Sequence, residues 1–221
     1  MGAAAYHLAE QAPEVPGCFL EVGIDPGDGE GSTAYLAALA HARGVPFLAV
    51  DVDPERCNAL LDRKPAHPMR VYCGRGERFL AHELPFLDLA VAFAYLDNHD
   101  WTFDGHEQKA WVVAQRERYA ALRVPMGNAD SQEAHCEQAR ALWPHLSPGG
   151  VILLDDTWRL PSGSFDGKGG RAIPYLLMRG AKLYAEGPSG EQVTDGFVAV
   201  YKPTDADHAP RGGAGGRSPG S

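Results

Sequence analysis

The feature that most limits what this chain can fold into is the segment 18–40, CFLEVGIDPGDGEGSTAYLAALA. A short apolar run meets a glycine-rich stretch and then an Ala/Leu-rich pattern, which places a strand, a turn and a helix end to end. In an open α/β sheet such a turn is where a nucleotide-like ligand sits. Glycines let the backbone approach it, and the first N–H groups of the helix are free to donate.

The rest of the chain repeats this alternation. Apolar β-type runs at 18–23, 46–52, 69–73, 87–96 and 151–154 are separated by helical patterns at 32–43, 54–63, 75–81 and 131–142. Strands that cross over through helices make a parallel sheet. After a last helix at 171–178, the runs 182–186 and 196–202 flank a glycine-containing turn and read as an antiparallel hairpin. The expected fold is therefore α/β: a Rossmann-like, doubly wound, mostly parallel sheet with a C-terminal antiparallel hairpin. Two helices come in succession after the fourth strand, where one crossover needs one. The extra helix, at 107–122, reads as an insertion near 104–128 and a candidate lid or substrate wall. Residues 1–16 form an N-terminal extension, 17–203 the domain, and 204–221 a tail with almost nothing apolar to bury, expected to be disordered.

At 221 residues the chain has room for one well-buried core. A formal charge of −9 argues against nucleic acid or an anionic membrane as partner, and favours a small-molecule acceptor substrate. Cys18, Cys57, Cys73 and Cys136 contain no CxxC pair and read as reduced residues in or near the core. With no leader-like start and no long apolar run, the expected location is the cytoplasm. A homo-oligomer is left open.

In the glycine loop the candidates for ligand contact are Glu21, Gly23, Gly27, Gly29 and Gly31. The second strand ends LAVDVDP, where an acid can accept hydrogen bonds from two ribose hydroxyls. Asp51 is that acid, with Asp53 as the alternative. This combination resembles the class I S-adenosylmethionine-dependent methyltransferases, whose first motif has the form E/D-x-G-x-G-x-G. The resemblance covers about residues 17–202 and implies that S-adenosylmethionine is held by Glu21, Gly23, Gly27, Gly29, Ser32, Asp51 and Gly74. Ile24, Asp25 and Pro26 lengthen the loop beyond the usual form. Where the family often has an Asp facing the adenine, this chain has Gly74-Arg75-Gly76, and Arg75 either skirts the adenine or lies in solvent. Dinucleotide enzymes use a tighter G-x-G-x-x-G/A pattern, which 27–31 does not match. Asp28 and Glu30 would repel a pyrophosphate but not a sulfonium.

Asp97 closes the fourth strand and Asp155-Asp156 the fifth, so three carboxylates are expected beside the loop. Three oxygen ligands suit a hard divalent cation such as Mg²⁺. LDNHDW with LLDDTW is similar to the metal-dependent O-methyltransferases of small molecules, which implies Asp97, Asp155 and Asp156 as metal ligands. The bland alternative is that these acids cap loops, as in metal-free relatives. The catechol-type enzymes place a Lys where this chain has Asp100. His99 is the substitute candidate for the general base, with Asp97 as its catalytic neighbour. Lys168 and Arg171 in FDGKGGRAIPYL either hold an anionic group or, more simply, sit solvated on a flexible loop. Trp101, Phe103, Trp111 and Trp158 either wall a planar substrate or pack a core.

The expected activity is methyl transfer from S-adenosylmethionine to an oxygen of a small molecule, assisted by a divalent metal. Metal-independent N- or O-methyl transfer, or a non-catalytic binding role, are the alternatives.

Overall fold

The structure is a computed structural model that describes residues 3–25, 31–63, 66–190 and 196–208. Strands β1 (Cys18–Val22), β2 (Phe47–Asp51), β3 (Arg70–Cys73), β4 (Val91–Leu96) and β5 (Leu146–Asp155) pair in parallel in the order β3-β2-β1-β4-β5. The hairpin expected at the C-terminus is present as β8 (Lys182–Glu186) and β9 (Phe197–Tyr201), with β9 inserted antiparallel between β5 and β8.

Every residue of β1, β2 and β4 is buried, because helices cover both faces of the sheet. Period-two alternation sends Cys18, Leu20 and Val22 into one core, against α4 (Gly76–His82), α6 (Asn128–Leu142) and α7 (Ala172–Met178). It sends Phe19 into the other, with Leu36 of α2 (Ser32–Ala42) and Leu60 of α3 (Pro54–Asp62). On that second face, one step along from Phe19, stands Glu21, a fully buried acid. Each buried Leu, Ile or Phe contributes about 1.5–3 kcal/mol, but Glu21 is there against that gradient.

Several elements differ from the sequence reading. The N-terminal extension carries a helix, α1 (Ala3–Gln11), whose Ala9 packs in the core. The Arg43 guanidinium donates to the carbonyls of Ala9, Glu10 and Ala12 and so satisfies the end of that helix. The fourth strand, expected at 87–96, begins at Val91, and Leu87 closes a 3-10 turn over Leu84–Leu87. The SPGG stretch at 147–150 belongs to β5, because Gly149 N–H donates to Lys202 O and Lys202 N–H to Gly150 O, which carries the pairing past the expected turn. Between β5 and α7 lies an unforeseen hairpin, β6 (Thr157–Arg159) with β7 (Phe165–Gly167). Asp205–His208, placed in the tail, forms a 3-10 turn held by Thr204–Asp207 bonds; the rest of the expected tail lies outside the described residues. No helix among the described residues is long and apolar enough to cross a membrane.

The expected inserted helix is α5 (Ala110–Leu122). It does not lie at the sheet's edge. Arg118 reaches Asp53, beyond β2, with Nε and Nη2 at 2.6 and 2.5 Å from Oδ2, and Tyr119 Oη accepts from Asp100 N–H, beyond β4, at 2.8 Å. The helix therefore bridges the carboxyl ends of two strands.

Candidate functional site

Strand order reverses at β1, since β2 and β3 lie to one side of it and β4 and β5 to the other, all in parallel. In open α/β sheets the crevice outside such a switch point receives the ligand. Here Gly23 marks it. Its φ is +106°, and a Cβ would stand 2.6 Å from both Asn98 N and Asp97 C. Only glycine lets β1 end against β4 so closely.

The cleft at these strand ends is lined by Asp51, Val52, Arg56, Arg75, Gly76 and Glu77 on one side and by Asp97, Asn98, His99 and Asp100 on the other. Arg118, Tyr119, Leu122 and Val124 roof it. The structure thus brings together Asp51, Asp97 and His99. Gly74 is not among the lining residues: it faces a neighbouring groove with open space where a Cβ would be, and its N–H is spent on Asp51 O at 2.7 Å. Gly76 is the glycine this packing needs, because a Cβ there would meet the Val22 side chain at 2.3 Å. Gly27 and Gly29 lie outside the described residues.

Glu21 accepts a 2.6 Å hydrogen bond from Ser32 Oγ at Oε1, while Oε2 is buried with no partner. Burial pushes its carboxyl up to about 8, and the negative charges of Asp97 and Asp25 add to that. Ser32 thus acts by holding Glu21. Asp51 accepts Ile24 N–H at Oδ2 and Asp53 N–H at Oδ1, both at 2.8 Å, and has lone pairs left on both oxygens. Burial holds its carboxyl above the usual value. Asp53, the alternative ribose acid, is committed elsewhere: it caps α3 through Glu55 N–H and binds Arg118. Arg75 pairs with Glu77 at 3.0 Å at the cleft margin.

Buried polar groups without partners concentrate here: Glu21 Oε2, Asn98 Oδ1, His99 Nδ1 and both amide atoms of Gln138, next to Gly76. Native proteins satisfy nearly all such groups. A ligand rich in donors and acceptors suits such a set of groups, although Glu21, Gly23 and Ser32, like Gly74, are not among the residues that line the cleft.

His99 sits at φ +63° and Asp156 at φ +43°, both left-handed without being glycine, at the ends of β4 and β5. Strain of this kind persists where the surroundings over-determine it. The His99 ring meets Tyr119 edge-on at 5.3 Å, its carbonyl accepts from Ser131 Oγ, and burial lowers its pKa against the opposing charges of Asp130, Asp100 and Glu77.

Asp97, Asp155 and Asp156 do converge, but an ammonium joins them. Lys168 Nζ stands 2.7 Å from Asp97 Oδ1 and 3.0 Å from Asp156 Oδ2. Asp155 turns aside to the Tyr95 hydroxyl, at 2.7 Å, which is also 3.0 Å from Asp97 Oδ2. Burial and the Asp97 charge push Asp155 up to about 7. Burial works against ionised Asp97 too, but Lys168 and the hydrogen bonds from Lys168 and Tyr95 outweigh it and hold Asp97 below the usual carboxylate range. Among the described residues no group of three or more His, Cys, Asp or Glu is arranged to hold a metal ion. As arranged, the donor set does not fit Mg²⁺, because a cation of the chain already occupies its centre.

The solvated-loop reading of Lys168 is therefore corrected: the residue is 2% exposed. It holds for Arg171, which pairs with Glu133 on the surface at 2.6 Å. Trp158 is buried, with Trp101 edge-on at 5.8 Å and Phe103 stacked at 5.9 Å. His106 links Phe103 to the exposed Trp111, so the aromatic residues form one chain of rings from core to surface.

No protein-family profile and no curated protein matches the sequence. Solved structures do match the fold. A glycopeptide N-methyltransferase, MtfA, complexed with sinefungin is 13% identical over 91% of this chain and 86% of its own, with a TM-score of 0.51. A putative rRNA-methylase from Clostridium thermocellum is 11% identical over 90% and 95%, with a TM-score of 0.53. A TehB-like SAM-dependent methyltransferase from Corynebacterium glutamicum is 12% identical over 90% and 86%, with a TM-score of 0.51. The fold of this chain is that of the S-adenosylmethionine-dependent methyltransferases.

Proposed function

We propose that the protein transfers the methyl group of S-adenosylmethionine to an oxygen of a small molecule. The observation that carries the reading is Glu21, a buried carboxylate with one unpartnered oxygen, set beside the only backbone conformation that lets β1 and β4 end in contact. Glu21, oriented by Ser32, takes the ammonium end of the cofactor. Asp51 takes the ribose hydroxyls and Gly23 gives the backbone room.

When bound, the cofactor supplies an electrophilic methyl whose C–S bond breaks as the acceptor's lone pair forms the new bond. The chain's own work is to hold the acceptor in line, exclude water and move one proton. α5 closes the cleft from above. His99, on this wall, takes the acceptor's proton, with Asp97 beside it. The −9 charge supports a small molecule over a polyanionic one. No step is assigned to Mg²⁺.

The test is incubation with S-adenosylmethionine and a panel of phenolic, sugar and amine acceptors in a chelator, with mass spectrometry of products. Methylated hydroxyls support the reading, methylated amines only would move it to nitrogen, and cofactor binding without transfer to any acceptor would favour a binding role.

A further inference from the structure

Lys168 is a buried cation that nothing in the cofactor reading uses. We propose that its ammonium is the resident counter-cation of the acidic strand ends, standing where a divalent metal would otherwise bind and acting as a positioning residue for Asp97. The inference rests on the reading of this cleft as the acceptor end of a methyl-transfer site.

The chain has built this position deliberately. Lys168 N–H donates to Asp156 O at 2.9 Å, and Gly169 N–H donates to Thr157 Oγ1, which itself donates to Asp155 O, both at 2.8 Å. The segment 167–170 therefore lies directly on the end of β5. Glycines allow the contact: a Cβ on Gly167 would stand 1.9 Å from Asp156 O, on Gly169 2.7 Å from Thr157, and on Gly170 2.6 Å from Gln132. The β6–β7 hairpin is the device that turns the chain back to bring Lys168 there. With its Nζ at 2.7 and 3.0 Å from two carboxylates, the ammonium excludes a metal from that space. Asp155, the third carboxylate, is engaged by Tyr95 instead. Asp97 is thereby fixed, ionised, on the cleft wall, while Lys168 stays behind it and out of contact with the ligand space.

The exclusion can be read directly with Mn²⁺ alone, titrated by electron paramagnetic resonance against wild type, Asp97→Asn, Lys168→Ala, and Lys168→Ala combined with Asp97→Asn. Wild type is expected to show no stoichiometric Mn²⁺ site. Lys168→Ala is expected to gain one, at least tenfold tighter than any wild-type binding, and the added Asp97→Asn to abolish it. A merely structural role for Lys168 would not create a metal site. Stoichiometric Mn²⁺ binding by wild type that is lost in Asp97→Asn would overturn the proposal, as would a folded Lys168→Ala variant that binds none. Should Lys168→Ala not fold, wild type and the volume-conserving Lys168→Met decide by the same criteria. Cofactor titration of the same wild-type sample separates the two readings: absent cofactor binding contradicts the proposed function and leaves the Mn²⁺ result standing.

Discussion

Ser32 donates a 2.6 Å hydrogen bond to Glu21 Oε1, tying the first turn of α2 to the carboxylate of the fully buried strand β1. The bond satisfies one oxygen and leaves the other buried without a partner, so the group is held in place with one acceptor unused. Its protonation follows from the same geometry.

Glu21 has its carboxyl raised to about 8 by burial, with Asp97 and Asp25 adding to the rise and the Ser32 and Thr33 hydroxyls opposing it. The folded protein thus holds a proton that the unfolded chain has released above its ordinary 4.5. Stability falls as pH rises from the ordinary value to the raised one. A cationic ligand favours the ionised form, so S-adenosylmethionine should expel the proton and bind more tightly as pH rises from about 6 to about 7.5, below the titration of the ligand's own amine near 7.7–8.0. Calorimetry in buffers of different ionisation enthalpy measures the proton release. Glu21→Gln should abolish both the release and the pH dependence.

Asp51 accepts from two backbone N–H groups and is the acid we propose for the ribose. Asp51→Ala should weaken S-adenosylmethionine and S-adenosylhomocysteine equally, by roughly 10- to 100-fold, since each lost hydrogen bond to a charged group is worth about 1.5–3 kcal/mol. Unequal losses would place Asp51 near the sulfur instead.

Gly23 and Gly74 give a paired test. Gly23→Ala puts a Cβ at 2.6 Å from the Asp97–Asn98 backbone at a positive φ, and should lower the melting temperature by several degrees, consistent with about 1–3 kcal/mol of strain. Gly74→Ala meets open space and should leave melting and cofactor affinity within error. Thermal denaturation followed by circular dichroism distinguishes them.

Arg118 ties the roof helix to Asp53. Arg118→Ala should loosen α5 and raise the cofactor dissociation rate by about tenfold, equivalent to 1.4 kcal/mol, with little change in association. Stopped-flow measurement of release reads this directly.

The sheet was legible in the sequence because β1, β2 and β4 are covered on both faces and so read as unbroken apolar runs. Glu21 and Asp51 were legible because an acid at a strand end is expensive without a ligand. The short β6 and β7 were not, since three residues carry no periodicity. Lys168 was hidden for a different reason. Its partner Asp97 lies 71 residues away, and glycines on either side of the lysine read as flexibility when their use is close approach to Asp156 and Thr157. The need for glycine at Gly76 was not legible, since sequence cannot say which glycine meets the Val22 side chain.

The most direct test of the central claim is calorimetric titration of wild type and Glu21→Gln with S-adenosylmethionine and S-adenosylhomocysteine in the presence of a chelator. The account predicts one site per chain with micromolar affinity for both ligands in wild type, and a loss of at least tenfold in Glu21→Gln. No binding by wild type, or identical binding by Glu21→Gln, would contradict it.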